Sequence, residues 1–315
     1  DLKNIGLEKY KYANVEDFTS DVGIKIRRKL QKPFKLVLKC ATKREIVLER
    51  YPMLEKNKPY IFASTHSFDE DIISALATLD RNAYVLIGTT DQLEHNPTMY
   101  AAWANGMIYV DRMDSNSRKD SIKKMLRILE SGSSILIFPE GGWNNTENLL
   151  VQKLFAGPYI LSKETGIPIV PISTFNEHNS KKIYIKYDEP FDISNLDKKE
   201  ALRELRDIMA TMMYEQIEKY STPIKRNELS LNARYDFMEE RKNEYMRVNW
   251  TRDVWDEELT VYKDFPSQQD IRESLDNVEI TKDNAYIFAP VLVKRLEDEK
   301  YNFKKYMHEN WQKKI

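Results

Sequence analysis

Between residues 58 and 190, short apolar runs alternate with stretches whose apolar positions recur every three to four residues. Residues 60–64, 84–87, 107–110, 134–138 and 169–172 are compact apolar runs and read as strands. Residues 71–79 read as a helix with Ile72, Ala75, Leu76 and Leu79 on one face. A second helix is expected to be capped by Ser117, to carry Ile122, Met125, Leu126 and Leu129 as its stripe, and to stop at Gly132. A third covers residues 157–164. Residues 182–187 alternate as a half-exposed strand does. Residues 198–219 form a long amphipathic helix with Leu202, Leu205, Ile208, Met209 and Met212 turned inward. Strands alternating with helices imply an α/β fold: a mixed, mainly parallel sheet flanked by helices.

The flanks differ from this core. Residues 21–45 hold nine basic and two acidic side chains, a net +7, among Ile24, Ile26, Leu30, Phe34, Leu36, Val37 and Leu38. Two readings stand side by side: an amphipathic helix for a membrane surface, interrupted near Pro33, or a helix packed on the main domain through the same apolar residues. After Pro223 the chain turns polar and aromatic, with Trp250, Trp255 and Trp311, and reads as a helical extension. The expected organisation is a basic helical segment at 1–45, an α/β domain at 46–220 and a helical extension at 221–315.

Composition narrows the classes. The 315 residues are 41% hydrophobic and 31% charged, the balance of a chain that folds. A net charge of -1 argues against a dedicated nucleic-acid binder. The single cysteine, Cys40, forms no internal disulfide and suits a reducing compartment. No apolar run of about 18 residues occurs, so no membrane-spanning helix is expected. The chain starts at Asp1 rather than Met, which leaves a trimmed leader or anchor open.

The sharpest chemistry lies in the block HSFDED. His66 sits where the first strand gives way to a helix, and ligands of open α/β sheets bind at the carboxyl ends of strands. Asp71, five positions on, falls in the first helical turn, from which its carboxylate can fold back onto the imidazole. A carboxylate on one ring nitrogen fixes the tautomer and leaves the other to accept a proton. Two other readings compete: a histidine near a helix start whose acidic neighbours favour the helix dipole, and a metal site from His66, Asp69 and Asp71, which lacks a second histidine.

Three further blocks follow successive strands. In GMIYVDR, Arg112 can grip an anion or pair with Asp111 or Asp114. In IFPEGGWN, Pro139 stops the strand, Glu140 projects at its carboxyl end as a ligand group or a solvated acid, and Gly141 with Gly142 lets backbone approach a ligand. IPIVPIS, at 167–173, reads as a buried strand between two prolines. No Gly-x-Ser-x-Gly elbow and no Gly-x4-Gly-Lys loop is present.

In order and spacing the four blocks resemble the glycerophospholipid acyltransferase family, lysophosphatidic acid acyltransferases included. That family carries a His-x4-Asp block, a Gly-x4-Asp-Arg-like block, a Phe-Pro-Glu-Gly block and a Val-Pro block. The resemblance spans about residues 58–190. It implies a catalytic dyad of His66 and Asp71, and acceptor binding by Arg112, Glu140, Gly141 and Gly142. It implies transfer of a fatty acyl group from an acyl-CoA or acyl carrier protein thioester to a hydroxyl of a lipid or lysophospholipid, with no metal or redox cofactor. The expected setting is cytoplasmic and peripheral on an anionic membrane surface. Two departures stand out. Thr65 replaces a frequent Asn, and Gly142, Trp143 and Asn144 replace Thr-Arg-Ser, removing an expected phosphate contact that Lys153, Arg118 or Lys119 would have to replace. The rivals from other classes are a metal-dependent hydrolase using the HSFDED acids and a lipid-binding protein whose catalysis has lapsed.

Overall fold

The computed structural model describes residues 13–88, 106–112, 114–146, 149–177, 180–246 and 281. The elements below belong to the first of two units, Asp1–Thr260 and Val261–Ile315. Trp250, Trp255 and Trp311 lie outside the described residues.

Among the described residues, seven strands form one sheet: β1 (Glu45–Arg50), β2 (Ile61–Ser64), β3 (Ala83–Ile87), β4 (Met107–Tyr109), β5 (Ser134–Ile137), β6 (Ile169–Phe175) and β7 (Lys182–Tyr187). Their order is β1-β7-β6-β2-β5-β3-β4. All neighbours run parallel except β6 and β7. A strand covered on both faces has no solvent side, so β2 and β5 are buried at every position. The alternation of β7 survives because its partner β1 is the edge strand. Strand β1, EIVLER, was not read from the sequence. Its charged ends suit an edge and blur the period of two.

Among the described residues, seven α-helices accompany the sheet: α1 (Val15–Phe18), α2 (Asp21–Ala41), α3 (Asp71–Thr78), α4 (Ser115–Glu130), α5 (Gly157–Thr165), α6 (Lys198–Tyr220) and α7 (Ala233–Met246). Successive residues of each strand feed opposite faces. Ile61, Ala63, Ile135 and Ile137 enter one core with Met125, Ile128, Leu161, Leu205 and Met209. Phe62, Leu136, Val170 and Ile172 enter the other with Phe34, Leu38, Ala75, Leu76 and Leu79. Helices α4, α5 and α6 therefore cover one face, and α2 and α3 the other.

Three details differ from the sequence reading. The cap of α4 is Asp114, whose carboxylate accepts from Asn116 N and Ser117 N; the Ser117 hydroxyl instead accepts from Asp111 N at 2.9 Å. Helix α2 runs through Pro33, which lies on the exposed side, where water can reach the Lys29 carbonyl that loses its helical donor. Pro171 sits inside β6, yet its carbonyl accepts from Asp188 N just beyond the end of β7. Its missing N–H faces the same side, so only the reciprocal bond to Asp188 O is absent, at the end of the pairing with β7, and the bonds to β2 are untouched.

The basic segment divides between two tasks. Arg27 Nη1 donates to Phe18 O at 2.8 Å, Arg28 Nη2 to Ser131 O at 2.8 Å, and Lys35 Nζ to Leu79 O at 2.5 Å and Arg81 O at 2.9 Å. These are the C-terminal ends of α1, α4 and α3, where free carbonyls and the helix dipole attract cations. Desolvation lowers Lys35 to about 8. Phe34 and Leu38 are buried, so they are core residues rather than residues available for insertion into a membrane. The opposite side of α2 keeps Val22, Ile26, Leu36 and Val37 exposed, at 68%, 52%, 67% and 54%, beside exposed Lys25, Lys29 and Lys39.

Candidate active site

Strand β2 ends at Ser64 beside β5 and β6, so the turn after it opens at the carboxyl edge of the sheet. Thr65 pins that turn. Its N–H donates to Ile172 O at 3.1 Å, and its hydroxyl accepts from Thr174 N at 2.9 Å. The hydroxyl at this position thus ties β2 to β6.

His66 follows. Its Nδ1 lies 2.8 Å from Asp71 Oδ2. The same oxygen accepts from Ser67 N at 2.8 Å and Phe68 N at 3.2 Å. Asp71 is fully buried, and its carboxylate closes the turn before α3 while holding the ring. With Nδ1–H on the carboxylate, Nε2 is the acceptor nitrogen. The ring packs against Phe138 with centroids 4.6 Å apart and meets Trp143 edge-on at 6.3 Å. These aromatic surfaces fix its plane.

Asp69 turns to Arg44 at 2.8 Å while Asp71 turns to His66, and among the described residues no three His, Cys, Asp or Glu side chains are grouped as donors.

Glu140 is not a solvated acid. It is 0% exposed, with Oε1 accepting from His66 N at 3.0 Å and Oε2 from Gln152 N at 2.8 Å. Burial pushes its pKa up to about 7, against the pull of those two N–H groups. Glu140 thus joins the turn after β2 to the loop after β5. Asn144 adds a second tie, its N–H donating to His66 O at 2.7 Å, while its side-chain amide donates to Leu149 O at 2.8 Å. Gln152 Nε2 holds Trp143 O at 3.0 Å.

Arg112 reaches the same loop: its Nη1 donates to Gly141 O at 2.6 Å. Gly141 has φ +79°, a conformation glycine adopts without strain. Gly88 makes room for the guanidinium, since a Cβ there would lie 3.1 Å from Arg112 Nε. Gly142 follows in the same turn, next to buried Trp143. Of the substitutes considered for the missing arginine, Arg118 donates to Arg112 O, and Lys119 and Lys153 are exposed.

The structure therefore brings His66, Asp71, Glu140, Gly141 and Arg112 to one edge of the sheet. Sequence reasoning missed Asn144 and Gln152 as loop ties, and Arg241. From α7, Arg241 Nη2 donates to Ser67 O at 2.5 Å and to Asn144 O at 3.4 Å, and its guanidinium lies 6.0 Å from the Trp143 ring centroid. A lone arginine in a polar helix carries no local signal for this contact.

Comparison with known proteins gives a consistent result. Residues 45–174 match the family model described as Acyltransferase. The chain is similar to a chloroplastic 1-acyl-sn-glycerol-3-phosphate acyltransferase of Brassica napus, 28% identical over 126 residues, covering 40% of this chain and 35% of that protein. A chloroplastic protein of the same description from Arabidopsis thaliana is 27% identical over 126 residues, covering 40% and 34%. The matched segment spans about a third of the length of these relatives. In fold the chain is similar to the crystal structure of the 1-acyl-sn-glycerophosphate acyltransferase of Thermotoga maritima, with a TM-score of 0.51 and 16% identity over 62% of this chain and 83% of that one.

Proposed function

We propose that this chain, whose residues 45–174 match the Acyltransferase family model, moves a fatty acyl group from an acyl thioester to the hydroxyl of a lysophosphatidic acid-like acceptor. The observation that carries this reading is the His66–Asp71 pair, 2.8 Å apart at the carboxyl end of a central strand. His66 Nε2 takes the proton of the acceptor hydroxyl as its oxygen attacks the thioester carbonyl. Asp71 stabilises the imidazolium that forms. The tetrahedral intermediate collapses, the carbon–sulfur bond breaks, and the leaving sulfur takes the proton back from His66, which regenerates the base. An ester and a free thiol result, with no metal or redox cofactor in the cycle.

Arg112 supplies positive charge for an acceptor phosphate, beside the loop that it grips through Gly141. Glu140 acts here by holding the His66 main chain, since both its oxygens are engaged and buried. No helix among the described residues is long and apolar enough to cross a membrane. The acceptor is reached from a lipid surface, on which the outer face of α2 rests through Val22, Ile26, Leu36 and Val37 with Lys25, Lys29 and Lys39 towards anionic headgroups.

The test is incubation of the protein with acyl-CoA or acyl carrier protein thioester and a panel of hydroxyl acceptors, followed by lipid mass analysis and thiol release. An ester product that disappears in His66→Ala is expected. The same product from His66→Ala, or no ester from any acceptor, overturns the reading. Loss of activity on chelation would turn it towards the metal-dependent hydrolase.

A further inference from the structure

Helix α7 belongs to the polar stretch after α6, and none of its described side chains belongs to either core. Its Arg241 nevertheless reaches the dyad's immediate surroundings. The two carbonyls that accept from Arg241 belong to Ser67 and Asn144. Ser67 follows His66, and its own N–H is held by Asp71. Asn144 donates its N–H to His66 O. One nitrogen of the guanidinium thus spans the turn that carries the base and the loop that carries Glu140, Gly141 and Trp143. The flat cation also lies over the Trp143 ring, which meets the imidazole edge-on.

We propose that Arg241 is a positioning residue of the acyl-transfer site, holding the Ser67 and Asn144 carbonyls so that the His66 ring keeps its place against Asp71, and that α7 is therefore part of the active site. The proposal rests on the acyl-transfer reading above. Glu140 joins the same two loops through His66 N and Gln152 N, but its carboxylate is buried inside them. Arg241 acts from a separate helix 174 residues away from Ser67 along the chain. Small misplacements of a reacting group are costly: about 1 Å costs as much as 10²-fold in rate. A planar fork holds its partners in fixed directions, whereas a lysine ammonium is a point charge on a flexible stem.

The experiment uses the full chain as wild type, His66→Ala, Arg241→Ala and Arg241→Lys. Acyl transfer is measured with acyl-CoA and lysophosphatidic acid, and the ring N–H signals are recorded by NMR on histidine-labelled protein. The chain has four histidines, so the signal missing in His66→Ala identifies His66. In Arg241→Ala the expected result is a kcat lower by about 10- to 100-fold, with KM for acyl-CoA changed less than about twofold and the melting temperature preserved. The His66 Nδ1–H signal should shift or broaden while other histidine signals stay in place. Arg241→Lys should recover part of kcat. Should Arg241→Ala melt early, Arg241→Lys decides by the same two readouts. Wild-type kcat in the Arg241 variants, or an unmoved His66 signal, overturns the proposal. If the wild type transfers no acyl group, the acyl-transfer reading fails by itself, and the His66 signal alone decides whether Arg241 holds the ring.

Discussion

Glu140 and His66 are bonded through the main chain: the buried carboxylate accepts the His66 N–H at 3.0 Å while the imidazole turns to Asp71. One acid sets the position of the backbone and the other the tautomer of the ring. The two acids have separable consequences.

His66→Ala should lower acyl transfer by about 10²- to 10⁴-fold with the fold retained, because general-base help is of that size. Asp71→Asn should be severely impaired, since the amide favours the wrong tautomer and no longer stabilises the imidazolium. Steady-state kinetics with circular dichroism as the control checks both, and wild-type turnover in His66→Ala would sink the mechanism.

Glu140 should write its burial into the pH dependence of stability. Its pKa rises from 4.5 to about 7 in the folded protein. The folded state therefore holds the proton more tightly than the unfolded one. The stabilisation from this group is complete below about pH 4.5 and is lost as pH rises through about 7. At 1.36 kcal/mol per unit the difference is on the order of 3 kcal/mol. Denaturant melts of wild type and Glu140→Gln should converge or cross by about that amount over this window. Parallel curves would show that the acid is not buried as described.

Gly106→Ala should destabilise the fold by about 2 kcal/mol or more. Gly106 has φ +86°, and a Cβ there would lie 2.4 Å from the Tyr84 ring. The glycine that opens GMIYVDR thus allows the chain to enter β4 beside β3. Thermal melts test this, and an unchanged melting temperature would mean that the ring yields freely.

Arg112→Ala should raise the Michaelis constant for a phosphate-bearing acceptor, with high salt mimicking the loss in the wild type. A neutral acceptor should show neither effect. Unchanged dependence on the phosphate acceptor would remove Arg112 from its recognition.

Cosedimentation with anionic vesicles should depend on Lys25, Lys29 and Lys39, each contributing about 1 kcal/mol near such a surface. Replacing all three by Glu should abolish binding, and high salt should weaken it in the wild type. Arg27 and Arg28 are unsuitable for this test because they cap α1 and α4. Equal binding by the triple variant would leave the outer face of α2 without this role.

The central strands, helices α3, α4, α5 and α6, and the order of the four blocks were legible in the sequence. Period and turn chemistry are local, and a strand buried on both faces announces itself as an apolar run. His66 and Asp71 were legible for the same reason: five residues across one strand-to-helix turn leave little freedom in where the carboxylate goes. The rest depended on contacts between distant segments. Strand β1 acquires its identity from β7, more than a hundred residues away. The positive charges of α2 looked alike along the chain until the ends of α1, α3 and α4 claimed Arg27, Lys35 and Arg28. Glu140 stayed open in the sequence between a ligand group and a solvated acid, because nothing near it shows that two N–H groups will enclose it. Arg241 lies 174 residues from the carbonyl it holds. Hydrogen-bond partners at such range are set by how layers pack, and packing leaves no period in the sequence.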